Sequence, residues 1–154
     1  MSFTWEVQGL DLFDANILNV TMAMRKKIAR KAARAAMTVV RDDARTAAKA
    51  IDDPKTPNQI WKNIGILNAK SPDPDTIGVM VGVRGGAKQT GPDTEGNTSG
   101  GRPGGDTWYW RLVEFGTSHS HAIPFMRPAL QKNISKVTNL YADGVSAGID
   151  EVLP

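Results

Sequence analysis

Trp110-Arg-Leu-Val-Glu-Phe-Gly-Thr117 and, a few residues on, Pro124-Phe-Met-Arg-Pro-Ala-Leu130 form the stretch from which the fold is read. Aromatic and β-branched residues crowd residues 107–115, which predicts a strand that ends at Glu114-Phe115-Gly116-Thr117. Gly116 is placed to supply the positive φ that turns the chain off that strand, and Thr117 to hydrogen-bond the turn. Val113 or Phe115 is expected to plug the core. Pro124 and Pro128 fix the approach to a C-terminal helix, Pro128 at about its first position, where a missing N–H costs nothing. Phe125 between them reads as a staple against the sheet. Glu114 is a charge at an element's end, either exposed or paired, with Arg111 and Arg127 as candidate partners. In the helix that follows, Leu130, Ile134, Val137, Leu140 or Tyr141, and Val145 recur at helical spacing.

Working back from this corner, Thr76–Val83 alternates Ile77, Val79, Val81 and Val83 with Gly78, Met80 and Gly82, a period of two that predicts a strand. Glycines on its second face imply that a neighbour comes close there. Residues 62–70 give a less regular strand, and Ser71-Pro-Asp-Pro-Asp75 between the two is a turn. Thr56–Ile60 reads as the start of one further turn of helix. Between Arg84 and Asp106 lie eight glycines, two prolines and no large apolar side chain. Such a segment buries too little surface to offset its ordering entropy, so residues 84–106 are expected to be a disordered hairpin loop.

Further back, Phe3, Trp5 and Val7 alternate with polar residues as a short first strand. Asp11 or Asp14 then caps a long helix. Ile17, Met24, Ile28, Ala32, Ala35, Ala36, Val39, Val40 and Ala47 fall on one side of it. Lys26, Lys27, Arg30, Lys31, Arg34, Arg41 and Arg45 fall on the other, with no acid from Ala15 to Arg41. The helix stops near Ile51, because Asp52-Asp53-Pro54 and Pro57 break it. Its length, some 35 residues or ~50 Å, exceeds what one small domain covers. Part of its apolar face therefore awaits a neighbouring subunit.

At 154 residues with a net charge of +3 the chain reads as a single domain, 1–154, carrying 84–106 as an insertion. The absence of cysteine removes disulfides, thiolate metal sites and thiol nucleophiles. No apolar run reaches the ~18 residues that a membrane span requires. His119 and His121, the only histidines, are too few for a zinc site and read as a solvated loop. The glycine pairs sit between strands and lack a Gly-Lys-Ser/Thr ending, so a phosphate cradle is rejected.

In order and spacing, the Glu114–Thr117 and Pro124–Pro128 elements resemble those of the head–tail joining proteins of long-tailed bacteriophages. These are described as neck, tail-completion or minor tail components, and the chain is also similar to the minor tail protein Z group. It departs from them in its long glycine insertion and in Asn58-Gln-Ile-Trp61, where relatives often carry a Thr-Gly-x-Leu-like turn. The resemblance implies an α+β fold: a small antiparallel sheet of three or four strands, covered by the long N-terminal and the C-terminal helices. It implies a virion protein of the neck with no catalytic activity, cofactor or metal, assembled in the host cytoplasm. Glu114, Phe115, Gly116, Thr117, Pro124, Phe125, Arg127 and Pro128 would then be a fold and assembly signature. The implied partners are further copies of the chain in a ring, expected to be a hexamer, with head-connector and tail-terminator or tail-tube proteins beside it and no membrane. DNA would pass through the ring. The alternative from the residues themselves is a small sequence-independent DNA-binding protein that works through Lys26, Lys27, Arg30, Lys31, Arg34 and Arg41.

Overall fold

A computed structural model describes residues 22–71, 73, 76–85 and 102–152. The elements in chain order are α1 (Met22–Ala36), α2 (Thr38–Ile51), α3 (Ile60–Asn63), β1 (Ile64–Ala69), β2 (Gly78–Val83), α4 (Trp110–Phe115) and α5 (Met126–Asp150). The expected strand at Phe3–Val7, the caps at Asp11 and Asp14, and residues 86–101 of the insertion lie outside the described residues.

One row of small side chains organises the interior. Ala32, Ala36, Val40, Ala44 and Ala48 recur every fourth residue along α1 and α2, each no more than 3% exposed. An i±4 ridge of this kind lets a second helix lie close. That helix is α5, which runs antiparallel to the pair: Gly148 meets Ile28, Gly144 meets Ala32, and Asn133 donates to Asp43. A Cβ added at Gly148 would stand 2.5 Å from the Ile28 Cγ2, so the missing side chain sets the spacing. Lys132 Nζ, 3.0 Å from the Asp43 carboxylate, adds an ion pair at the other end of the seam.

The expected single helix is divided at Met37. The hydrogen-bond ladder runs on through this residue, with Met37 N donating to Ala33 O and Arg41 N to Met37 O, both at 3.0 Å. Thr38 Oγ1 donates to the Arg34 carbonyl at 3.2 Å, a back-bond that bends helices. α2 ends at Ile51, where the Asp-Asp-Pro break was expected.

Among the described residues the sheet has two strands rather than three or four: β1 and β2 pair antiparallel with Ile64 opposite Val83 and Ala69 opposite Gly78. Ile64 and Val83 are buried in one core with Val40, Ala44, Ala48, Ile60, Phe125 and Ala129. Arg45 of α2 clamps the start of β1, its Nε and Nη2 donating to Ile64 O at 2.9 and 2.7 Å. The close neighbour of the glycine face is β1 itself: a Cβ at Gly78 would meet Ala69, and one at Gly82 would meet Leu67.

The expected return strand at 107–115 is corrected: Thr107–Tyr109 form a turn and Trp110–Phe115 a helix. Tyr109, Trp110 and Val113 pack against the core while Leu112 and Phe115 face out, a spacing that only a helix gives. Val113 therefore takes the core role, and Phe115 is 56% exposed.

Part of the glycine-rich insertion is also corrected, because Arg102–Asp106 is folded in. Asn63, fully buried, donates through Nδ2 to Gly105 O and Thr107 Oγ1, both at 2.8 Å, and accepts from Gly104 N at 2.8 Å. Gln59 N donates to Gly104 O at 2.8 Å, and a Cβ at Gly104 would collide with Gln59 O.

Candidate assembly site

The corner between α4 and α5 is built around one carboxylate. Glu114 is 1% exposed and lies one helical turn from Trp110, beside Val113, so α4 aims it inward. Its Oε2 accepts from Phe125 N at 2.7 Å and from Met126 N at 3.0 Å. Its Oε1 accepts from Arg127 N and Arg127 Nε, both at 3.1 Å. Arg127 Nη2 also donates to the Glu114 carbonyl at 3.0 Å, so both the side chain and the backbone of Glu114 are held.

The N–H groups of Met126 and Arg127 open α5 and have no partner within that helix, while Phe125, its N-cap residue, provides no side-chain cap. Glu114 thus caps α5 from eleven to thirteen residues upstream, where the positive end of the helix dipole also favours a negative charge. Burial pushes the Glu114 carboxyl up, but the N–H groups of Met126, Phe125 and Arg127 and the Arg127 guanidinium outweigh it and hold the group below the usual carboxylate range.

The loop between the helices is equally constrained. Gly116 has φ +76°, as expected, and a Cβ there would stand 2.8 Å from Ala122 N. Thr117 Oγ1 accepts from Ser120 N at 3.0 Å and His119 N at 3.2 Å, and Thr117 N donates to Ser120 O at 2.9 Å. Ile123 N returns to Val113 O at 2.8 Å. Phe125 is 1% exposed and seats the corner in the core, as a staple would. Pro128 is the third residue of α5 rather than the first, still within the turn whose N–H groups lack helical partners.

Several apolar side chains at and beyond the same corner are exposed. Leu112, Phe115, Ile123, Leu130 and Ile134 are 45–56% exposed, and the Arg127 guanidinium lies 4.8 Å from the centre of the Phe115 ring. Most of the apolar residues that recur at helical spacing in the last helix lie on this open side. Ala129 and Asn133 are its buried residues and Val137 packs on the core, whereas Leu130, Ile134, Leu140 and Tyr141 are exposed.

The basic side chains of the two helices have different neighbours. Lys27 and Lys31 line a groove with α5, and Lys31 Nζ lies 3.8 Å from Glu151. Arg34 Nη1 donates to Asn68 Oδ1 of β1 at 3.0 Å, and Arg41 pairs with Asp42 at 2.8 Å. Arg30 is exposed and Lys26 half-buried. His119 and His121 are exposed, and no group of three or more His, Cys, Asp or Glu among the described residues is arranged to hold a metal. No helix among the described residues is long and apolar enough to cross a membrane.

Sequence reasoning brought together Glu114 and Arg127, Gly116 and Thr117, and the Phe125 anchor. It missed Asn63, and it set Arg45 on the basic helix face, whereas the Arg45 guanidinium reaches across to the Ile64 carbonyl. A hint was available for Asn63, an amide directly preceding the apolar run of β1.

Neither the curated proteins nor the solved structures gave a match. Residues 12–116 match a family model described as "Bacteriophage HK97-gp10, putative tail-component". That span runs through α1 to α4 and closes on Gly116, the residue at which the Glu114 corner begins its turn. The chain belongs to this HK97-gp10-like family of bacteriophage tail components.

Proposed function

We propose that the protein is a structural component of the neck or tail-completion type. Copies form a closed ring, a hexamer, that joins tail to head and through which DNA passes. Membership of a tail-component family supports the virion setting. The observation that carries the finer reading is the corner itself: a buried carboxylate fixes α4 against α5, and Leu112, Phe115, Ile123, Leu130 and Ile134 of these segments are exposed. Rigid, apolar and solvent-facing is what a surface needs if it is to meet another subunit without reorganisation. Ring closure uses two different surfaces of each subunit, which suits a chain whose basic and acidic segments are separate. The role is architectural, with Glu114 and Arg127 holding shape rather than turning over a substrate. Deleting the gene and imaging the lysate tests the reading. Filled heads beside detached tails are expected, and intact infectious particles would refute it.

A further inference from the structure

Arg34, Arg41 and Arg45 recur at helical spacing, and the hydrogen-bond ladder that runs on through Met37 keeps them on one side of α1 and α2. β1 lies along that side. Arg34 Nη1 reaches Asn68 Oδ1 near one end of the strand at 3.0 Å, and Arg45 holds Ile64 O at the other. A fourth guanidinium arrives from the end of β2. Arg84 N donates to Asn63 O at 2.9 Å, and the Arg84 side chain folds back over Gly65. A Cβ at Gly65 would stand 2.9 Å from Arg84 Nε, so the glycine is what lets this cation lie on the strand.

Arg45 is thus flanked by two cations, Arg41 one turn before it and Arg84 from the other side of β1. Burial holds the Arg45 guanidinium below its ordinary pKa, and Arg41 and Arg84 push it the same way. Among the described residues one carboxylate touches the row, that of Asp42, which pairs with Arg41. Arg34 and Arg84 are exposed, Arg41 and Arg45 half-buried. Like charges gathered in this way repel, and an anion from outside relieves the repulsion.

We propose that this row is a track for the phosphate backbone of DNA, followed without regard to base sequence. From Arg34 to Arg45 it is ~16 Å long at 1.5 Å per residue, a length over which one strand of a duplex presents about five phosphates. Guanidinium suits phosphate because its fork donates two parallel N–H bonds and keeps its charge. Asn68, Ile64 and Gly65 already hold three of the four side chains, so little freedom is lost on contact. That the polyanion is DNA rests on the reading of a ring through which DNA passes, whereas the row of cations does not depend on it.

Fluorescence anisotropy of a labelled mixed-sequence duplex with the purified full chain, titrated from low to physiological salt, tests the proposal. Binding is expected to weaken with salt at a log–log slope of about −3, one phosphate for each guanidinium not already paired with a carboxylate. Arg34→Gln and Arg84→Gln leave the clamp of Arg45 on Ile64 in place, and each is expected to flatten the slope by about one unit. Lys136→Gln, at an exposed position of α5, is expected to leave the slope unchanged. No binding at low salt would overturn the proposal, as would a slope that the arginine variants leave unchanged or that Lys136→Gln flattens equally. Tighter binding of a glutamate decamer than of the duplex would also overturn it, assigning the row to an acidic protein segment. The assay uses isolated protein, so its failure is separate from a failure of the neck reading, which imaging of the lysate decides.

Discussion

A carboxylate with 1% of its surface exposed is tolerable only if its charge is met, and at Glu114 three backbone N–H groups and a guanidinium meet it. Replacing it by glutamine keeps one acceptor, removes the charge and points an amide N–H₂ at other donors. Glu114→Gln should lower unfolding free energy by about 2–4 kcal/mol, read as a shift in the urea midpoint at neutral pH. The same geometry fixes a pH response. Because the folded-state pKa of Glu114 lies below its ordinary value, its stabilisation is complete above roughly pH 4.3 and is lost as the pH falls through the folded value. Asp43 acts in the same direction, its carboxyl held low by the Asn133 amide and by Lys132. Acid should therefore weaken the two points at which α5 is fastened. Urea midpoints measured from pH 7 to pH 3 should fall steeply in the wild type and less steeply in Glu114→Gln. Parallel curves would show that this carboxylate is not the titrating group. Gly116, Thr117 and the Glu114–Arg127 pair were legible in the sequence because their chemistry is local or charge-matched. The capping of α5 was not, since its acceptor and donors are separated by a loop and no sequence pattern links a glutamate to N–H groups eleven residues on.

At the scale of elements, local preference and tertiary context disagree at one place. Trp108 to Phe115 has the aromatic content of a strand, yet Trp110–Phe115 is helical, because only that period puts Trp110, Val113 and Glu114 on one side. By contrast, β2 and the end of α2 at Ile51 were readable, one from strict alternation and the other from Asp-Asp-Pro. The last helix was placed correctly, and its apolar spacing did not tell which side is buried. Of the large apolar residues Val137 packs on the core, whereas Gly144 lies against Ala32 and Gly148 against Ile28. That close seam yields a direct prediction. Ala44 is fully buried, and Ala44→Leu should cost about 1–3 kcal/mol by overpacking, visible as a lower melting temperature. A second prediction concerns the knot at Asn63. Asn63→Ala removes the acceptor for Gly104 N and the donor to Gly105 O. Amide hydrogen exchange at Gly104, slow in the wild type, should become fast in the variant while β2 stays protected. Unchanged protection at Gly104 would mean that the segment is held by something other than this side chain.

For the molecule as a whole, the sequence alone suggested a long helix with a surplus of apolar surface and a basic face opposite. The structure adds exposed apolar side chains at the corner and on the outward side of α5, while Lys27, Lys31, Arg34 and Arg41 turn to different neighbours. An assembly surface formed by Leu130 and Ile134, 45% and 55% exposed, can be separated from stability. Leu130→Asp with Ile134→Asp should change unfolding free energy by no more than about 0.5 kcal/mol per site. The same double variant should fail to enter particles when it replaces the wild type during infection. The most direct measurement is an electron cryomicroscopy reconstruction of the intact virion at a resolution that traces helices. A closed ring of this chain is expected at the head-proximal end of the tail, with Leu112, Phe115, Leu130 and Ile134 of each copy buried against its neighbour. Copies of the chain sited elsewhere in the particle, or a ring in which that surface faces solvent, would contradict it.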